Sequence, residues 1–269
     1  MSALAGSVAN FQHLEELARQ KSWIHRLHPL TKLLVTFSIL VTVSSFERDA
    51  ISSLLPLLFY PVLVFTLADI PARLILKRLL LVEPLIIGIG LLNPILDRQI
   101  SMIGTLAVSH GWLTLFSIIL KSSLTILAAL LLVATTDLSQ LAGALRLLRI
   151  PRLMVTLLIL IYRYLSVLAG EAARTLRAYA LRAPGHPGVR IAAWGSLAGQ
   201  LLLRSFDRAE RLHQAMQLRG FKGDFQLSAV FRLTWKDAAW LAGWLGFCLL
   251  ARCFDLPASL GNLLTGVMP

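Results

Sequence analysis

The chain has 269 residues, of which 57% are apolar and only 15% carry a charge. A soluble domain usually has about 25% charged residues, so this composition excludes an ordinary soluble enzyme and indicates an all-α membrane protein. The charges are unbalanced, with 26 Lys and Arg against 14 Asp and Glu and a formal net charge of +12. Part of the chain is therefore expected to lie outside the bilayer and to be basic.

Apolar runs of about 17–25 residues indicate helices that cross a bilayer. A polar N-terminal segment, residues 1–29, precedes four such runs in residues 30–136, and a fifth run followed by a tail occupies residues 237–269. The predicted spans are Leu30–Phe46, Ile51–Ala68, Leu79–Leu96, Trp112–Thr136 and Ala238–Phe254.

The basic residues near the span ends predict the orientation, because cytoplasmic loops are enriched in Lys and Arg. The N-terminal segment and the loop after the second span are basic, whereas the loops 47–49 and 97–111 are nearly neutral. The N-terminus is therefore predicted to lie inside the cell and the C-terminus outside.

One further apolar run, Leu153–Leu168, is long enough to suggest a sixth span. It lies within residues 137–236, which hold 15 Lys and Arg against 5 Asp and Glu. A crossing there would place most of this charge outside, against the positive-inside rule. The run is therefore interpreted as the apolar half of a non-crossing helix, Arg152–Arg182, and residues 137–236 as a cytoplasmic, basic helical domain.

A second long helix is predicted over Val189–Leu218. Its apolar residues recur at helical spacing, at Leu202, Phe206, Ala209, Leu212 and Met216. Three arginines lie off this stripe, at Arg204, Arg208 and Arg211. Asp207 can pair with Arg211 across one turn, and Gly220 is expected to cap the helix.

A set of basic amphipathic helices has three possible uses. The first is attraction to anionic membrane lipid, and the second is nucleic-acid binding, which no recognisable module supports. The third is docking onto a soluble partner, which Arg182 and Arg219 favour because each ends a helix just before a breaker. A cation at a helix C-terminus is also stabilised by the helix dipole alone.

The motifs of catalysis and metal binding are missing. The sequence contains no G-x-x-x-x-G-K-[ST], G-x-S-x-G, H-E-x-x-H or C-x-x-C, so neither an enzyme nor a resident metal or cofactor is predicted. Cys248 and Cys253 are interpreted as small core residues. Lys121, at mid-span, is interpreted as a structural or snorkelling residue rather than part of an ion relay with Glu83.

Two segments carry a family resemblance. The stretch from Gly199 to Phe221, and the segment Leu27-His28-Pro29-Leu30-Thr31-Lys32-Leu33, resemble the transmembrane T component of energy-coupling factor transporters, in its cobalt/nickel branch of CbiQ type. In that family two short motifs, commonly Ala-Arg-Gly, end cytoplasmic coupling helices. The matching positions are Leu181-Arg182-Ala183 and Leu218-Arg219-Gly220, and both depart from the usual form.

The resemblance implies a non-catalytic coupling subunit in a bacterial inner membrane. Its partners would be two ATPase subunits, a metal-capturing membrane subunit and, as an optional further partner, a small accessory membrane subunit. Its cargo would be cobalt or nickel. The residues expected to meet the ATPases are the two motifs together with Arg204, Arg208 and Arg211. The alternative is a stand-alone secondary transporter or channel, which predicts inverted repeats and polar residues at midplane that the sequence does not display.

Overall fold

The computed structural model describes residues 20, 22–47, 51–96, 100–103, 106–182, 189–221, 223 and 233–253. Within these residues it contains ten α-helices and one short β-hairpin, which confirms the all-α prediction apart from the hairpin. The chain divides into two compact units. We call the described residues up to Asp137 and from Leu233 onward the bundle, and those from Leu138 to Gly223 the basic unit.

The bundle is built from short and long apolar helices. They are α1 (Pro29–Ser45), α2 (Ile51–Leu54), α3 (Phe59–Ala68), α4 (Ala72–Gly90), α5 (Leu92–Leu96), α6 (His110–Thr135) and α10 (Trp235–Cys253). A 3-10 segment, Leu55–Leu58, joins α2 to α3. Each of the five predicted spans coincides with one or two of these helices within a few residues, apart from α4, which begins seven residues before the third span. The second and third spans are divided.

The predicted outer loop 97–111 contains the hairpin. Strands β1 (Ile100–Ile103) and β2 (Leu106–Ser109) pair antiparallel, with Ile100 opposite Ser109. Helix α6 follows directly from β2, so it begins two residues before the predicted fourth span.

The basic unit contains the remaining three helices, α7 (Leu138–Leu147), α8 (Arg152–Arg182) and α9 (Ile191–Leu218). Helix α8 has the predicted bounds, and α9 begins two residues after its predicted start. Thr156 Oγ1, near the start of α8, donates to the carbonyl of Gly223, just beyond α9, at 3.4 Å. The start of α8 therefore lies beside the end of α9, and the two helices run antiparallel.

Two described helices are long and apolar enough to cross a membrane by length and composition, α6 and α8. Shorter apolar helices cover Pro29–Ser45 and Ser52–Ala68. Of the 18 most apolar consecutive residues in each helix, 11% are buried in α8 and 28% in α6. Few side chains in the apolar half of α8 are thus fully buried, and the non-crossing placement of this helix stays a prediction.

The core of the bundle lies between α1, α3, α6 and α10. Ile39 on α1 and Leu131 on α6 are almost completely buried. The ring of Trp244 on α10 meets that of Tyr60 on α3 edge to face, with 4.9 Å between centroids. Beside it Cys248 is buried as predicted, but Cys253 is exposed. The prediction for Cys253 is wrong because five residues along a helix place it about 140° around the axis from the buried Cys248.

Two lysines of the bundle satisfy carbonyl groups at helix ends. Nζ of Lys32 donates to the carbonyl of Thr135, the last residue of α6, at 2.8 Å. Nζ of Lys121 donates to the carbonyls of Phe46 and Glu47, just beyond α1, at 2.8 Å each. Carbonyls at a helix C-terminus have no partner within the helix, and a lysine placed there fills that need. These contacts give Lys121 a structural role.

A carboxylate joins the beginning of α1 to the beginning of α10. Oδ1 of Asp237 accepts the backbone N–H of His28 at 2.7 Å, and Oδ2 accepts that of Thr234 at 2.8 Å. The ring of His28 in turn accepts the N–H of Leu30 and caps α1, where Pro29 occupies the first position. The N-terminal segment that carries the family resemblance thus forms the cap of α1, the first predicted span.

Replacing Asp237 by Ala is expected to lower the free energy of unfolding by about 2 kcal/mol, because two backbone N–H groups lose a charged acceptor. Thermal unfolding of the full chain in a neutral detergent measures the change. Asp207→Ala is the matched control, since Asp207 is exposed on α9, and it should shift stability by less than about 0.5 kcal/mol. Equal shifts for the two variants would contradict this role of Asp237.

Candidate coupling surface

The motif Leu218-Arg219-Gly220 ends α9 in a fixed geometry. The N–H of Phe221 donates to the carbonyl of Met216 and the N–H of Gly220 to that of Gln217, each at 2.9 Å. These two bonds form a Schellman motif. Gly220 has a φ of +76°, which residues with a Cβ rarely adopt. The expected cap is confirmed, and it explains why glycine follows Arg219.

Both motifs present an exposed leucine beside the arginine. The Leu181 side chain is 83% exposed and that of Leu218 is 90% exposed. Arg182, the last residue of α8, and Arg219 are exposed as well. Ala183 lies outside the described residues. At the ends of α8 and α9, an apolar side chain and a guanidinium therefore lie exposed, uncovered by the rest of the basic unit.

The two ends lie far apart because α8 and α9 run antiparallel. Arg219 follows α9 near Thr156, whereas Arg182 lies at the other end of α8. At 1.5 Å of rise per residue, Thr156 and Arg182 are separated by roughly 40 Å. One small partner cannot contact both arginines through a single compact patch.

Glu171 of α8 holds the two helices together. Its carboxylate lies 3.0 Å from Nη2 of Arg208 and 3.6 Å from Nη1 of Arg204, both on α9. The Glu171 side chain is 11% exposed, and those of Arg208 and Arg204 are 34% and 58% exposed. Nη1 of Arg208 is buried and makes no hydrogen bond. These two predicted partner-binding arginines therefore have a contact within their own unit.

Arg211, the third arginine off the apolar stripe, is exposed on α9. No ion pair joins it to Asp207 in this part of the helix, where both residues are described, so the proposed pairing does not form.

Two depressions lie between α8 and α9 on either side of Glu171. The first, which we call the arginine cavity, has a volume of about 540 Å³ and is lined by Arg174, Arg182, Arg204 and Tyr179 among others. The second, which we call the apolar groove, has a volume of about 490 Å³. Its lining is largely aliphatic and aromatic, including Leu157, Ile161, Leu165, Phe206, Ala209 and Leu212.

Sequence reasoning did not find the arginine cavity or the pairing role of Glu171. Glu171 is the only acidic residue of α8, and a single acid opposite an arginine-rich helix could have suggested the pair. Among the described residues, no group of three or more His, Cys, Asp or Glu side chains could hold a metal ion.

An apolar helical bundle and a basic helical unit with exposed arginine ends are consistent with an all-α membrane protein. Residues 20–229 match the family model of CbiQ, described as a cobalt transport protein. The chain therefore belongs to this family of cobalt transport proteins.

One relative is the nickel permease LarQ of Lactiplantibacillus plantarum, which is 35% identical over 130 residues. The aligned part covers 47% of this chain and 46% of that relative. The chain thus aligns over about half the length of this nickel permease.

Proposed function

We propose that the chain is the transmembrane coupling subunit of an ATP-driven importer for cobalt or nickel. In this proposal two ATPase subunits bind at the helix ends, and a separate membrane subunit captures the metal. The sequence has no phosphate-binding loop for ATP, so hydrolysis takes place in the partners. Membership of a cobalt transport family and the relation to a nickel permease support the choice of cargo.

The observation that carries the proposal is the pair of exposed Leu-Arg ends at opposite ends of α8 and α9. A guanidinium presents a rigid set of donors that matches a carboxylate, and an exposed leucine adds apolar area beside it. Two such ends, roughly 40 Å apart along the helices, suit one docking point on each of two subunits. Arg182 is then the contact to one ATPase and Arg219 the contact to the other.

The ion pairs of Glu171 explain how movement at one end reaches the other. Because Arg204 and Arg208 tie α9 to α8 near the middle of each helix, closure of the ATPase pair would move both helices as one lever. The lever would then change the contact with the capture subunit. Coupling of this kind requires contacts that differ between the two states of the ATPases.

The proposed orientation places the N-terminus and the basic unit, within residues 137–236, in the cytoplasm of a bacterial cell and the C-terminus outside. The concentration of Lys and Arg in that region supports it. An accessible-cysteine assay tests the placement, since Cys253 is exposed at the end of α10. Labelling of Cys253 by a membrane-impermeant reagent in intact spheroplasts is expected, and labelling only after lysis would reverse the orientation.

Reconstitution tests the function. Proteoliposomes containing this chain, its ATPases and its capture subunit should accumulate cobalt or nickel only when ATP is supplied on the side of the ATPases. Vesicles lacking this chain should show ATP hydrolysis without accumulation. Metal uptake that is equal with and without the chain would refute the proposal.

A further inference from the structure

The apolar groove runs along α8 for about the thickness of one lipid leaflet. From Leu157 to Leu168 the helix rises roughly 16 Å, and one leaflet contributes about 15 Å of hydrocarbon. Side chains that line the groove are still open, with Ile161 67% exposed and Phe206 65% exposed. Such an apolar surface requires an apolar cover.

The arginine cavity continues from the groove along the same two helices. Glu171 and its partners separate the two, since Arg204 lines the cavity and Arg208 lines the groove. Beyond Glu171 the cavity gathers Arg174, Arg182 and Arg204, and the single carboxylate that faces them is already shared with Arg208. The cavity therefore keeps an excess of positive charge.

We propose that an anionic phospholipid binds along α8 and α9, with an acyl chain in the apolar groove and its phosphate in the arginine cavity. A ligand for both depressions must be apolar over about 16 Å and carry a negative charge at one end. A phospholipid of the inner leaflet has both properties, and basic pockets between helices on that side are known to hold anionic headgroups.

A protein helix would be the other way to cover the groove. Such a helix could pack against the aliphatic lining of the groove. It would not account for the three arginines that lie beyond one end of the groove. Charge complementarity and continuity with the groove favour the lipid. The lipid site shares Arg182, at the far end of the arginine cavity, with the proposed ATPase contacts. The variants that test the lipid site change Arg174, Arg204 and Ala209 and leave Arg182 and Arg219 intact, so the lipid site can fail while the ATPase contacts hold.

Lipid titration of the full chain, purified and delipidated in a neutral detergent, tests the proposal. Native mass spectrometry then counts bound phosphatidylglycerol and phosphatidylcholine. We expect one phosphatidylglycerol to bind in preference. Arg174→Gln with Arg204→Gln should weaken its binding about 25-fold, because each cation near an anionic lipid contributes roughly a fivefold change in affinity.

The matched control removes two other charges, one on α8 and one at the residue that precedes α9. Arg177 and Arg190 are exposed and do not line the cavity, so Arg177→Gln with Arg190→Gln should change the affinity less than about threefold. Should the first double variant fail to fold because it disturbs Glu171, Arg174→Gln alone decides, with about a fivefold loss expected. Arg174 is not one of the two groups that pair with Glu171.

The part of the proposed lipid site that holds the acyl chain, the apolar groove, is tested separately. Ala209→Trp fills the groove and should abolish the preference for phosphatidylglycerol, whereas Ala198→Trp, at an exposed position outside both depressions, should leave it intact. Equal binding of the two lipids by the wild-type chain would overturn the proposal. Full affinity in the Ala209→Trp variant would do so as well.

Discussion

Reversing the charges of Arg182 and Arg219 together, as Arg182→Glu with Arg219→Glu, is expected to abolish co-purification of the ATPases and metal uptake. Losing one partner of a buried charge pair at an interface costs about 2–5 kcal/mol, so two reversals weaken assembly by a factor of at least about 1,000. Affinity purification of the tagged chain and uptake of labelled cobalt or nickel by whole cells measure both effects.

The control reverses one charge elsewhere on α8 and one at the residue that precedes α9. Arg177→Glu with Arg190→Glu alters the net charge by the same amount at exposed positions away from the two motifs. This variant should assemble and transport almost normally. If the Arg182 and Arg219 reversals behaved like the control, the coupling role of the helix ends would be wrong.

The second large effect is expected for Glu171→Gln, which removes the charge that Arg204 and Arg208 share. Breaking a buried ion pair costs about 3–5 kcal/mol when one charge stays buried. The Arg208 and Arg204 side chains that would remain are 34% and 58% exposed, so water compensates part of the loss and we expect a smaller cost of about 1–2 kcal/mol. Faster amide hydrogen exchange in the middle of α8 and α9 would report the loosened pair.

Glu210→Gln provides the comparison. Glu210 is exposed on α9 and has only a 3.5 Å contact with Gln214, so hydrogen exchange and stability should stay within about 0.5 kcal/mol of the wild type.

ATP hydrolysis by the assembled Glu171→Gln complex should continue while metal uptake falls. Uptake that stays proportional to hydrolysis would show that the lever does not depend on this pair.

The helices were largely predictable because each carries a local signal. The bounds of α8 follow from Pro151 before it and the Pro-Gly segment after Arg182, and the end of α9 follows from Gly220. The hairpin in residues 100–109 was not predicted, since its short strands lie in a loop whose composition resembles that of the flanking apolar runs. The exposure of Cys253 follows from its position about 140° around α10 from the buried Cys248, and a run that is apolar on all sides does not show which face of the helix is covered.

The candidate site was predictable only in part. A residue that ends a helix is visible in the sequence, so Arg182 and Arg219 could be singled out. Pairing across helices depends on how α8 and α9 face each other, which their individual periodicities do not determine. Arg204 and Arg208 therefore looked like free partner-binding groups, although the fold directs both toward Glu171. The arginine cavity arises from that same packing.

The central claim is that this chain couples separate ATPases to a separate metal-capturing subunit. Purification of the tagged chain from native membranes, with identification and counting of every subunit that accompanies it, tests this most directly. The account predicts two ATPase subunits and one metal-binding membrane subunit for each copy of the chain. A homogeneous single chain that transports metal by itself after reconstitution would contradict the account and establish a stand-alone transporter instead.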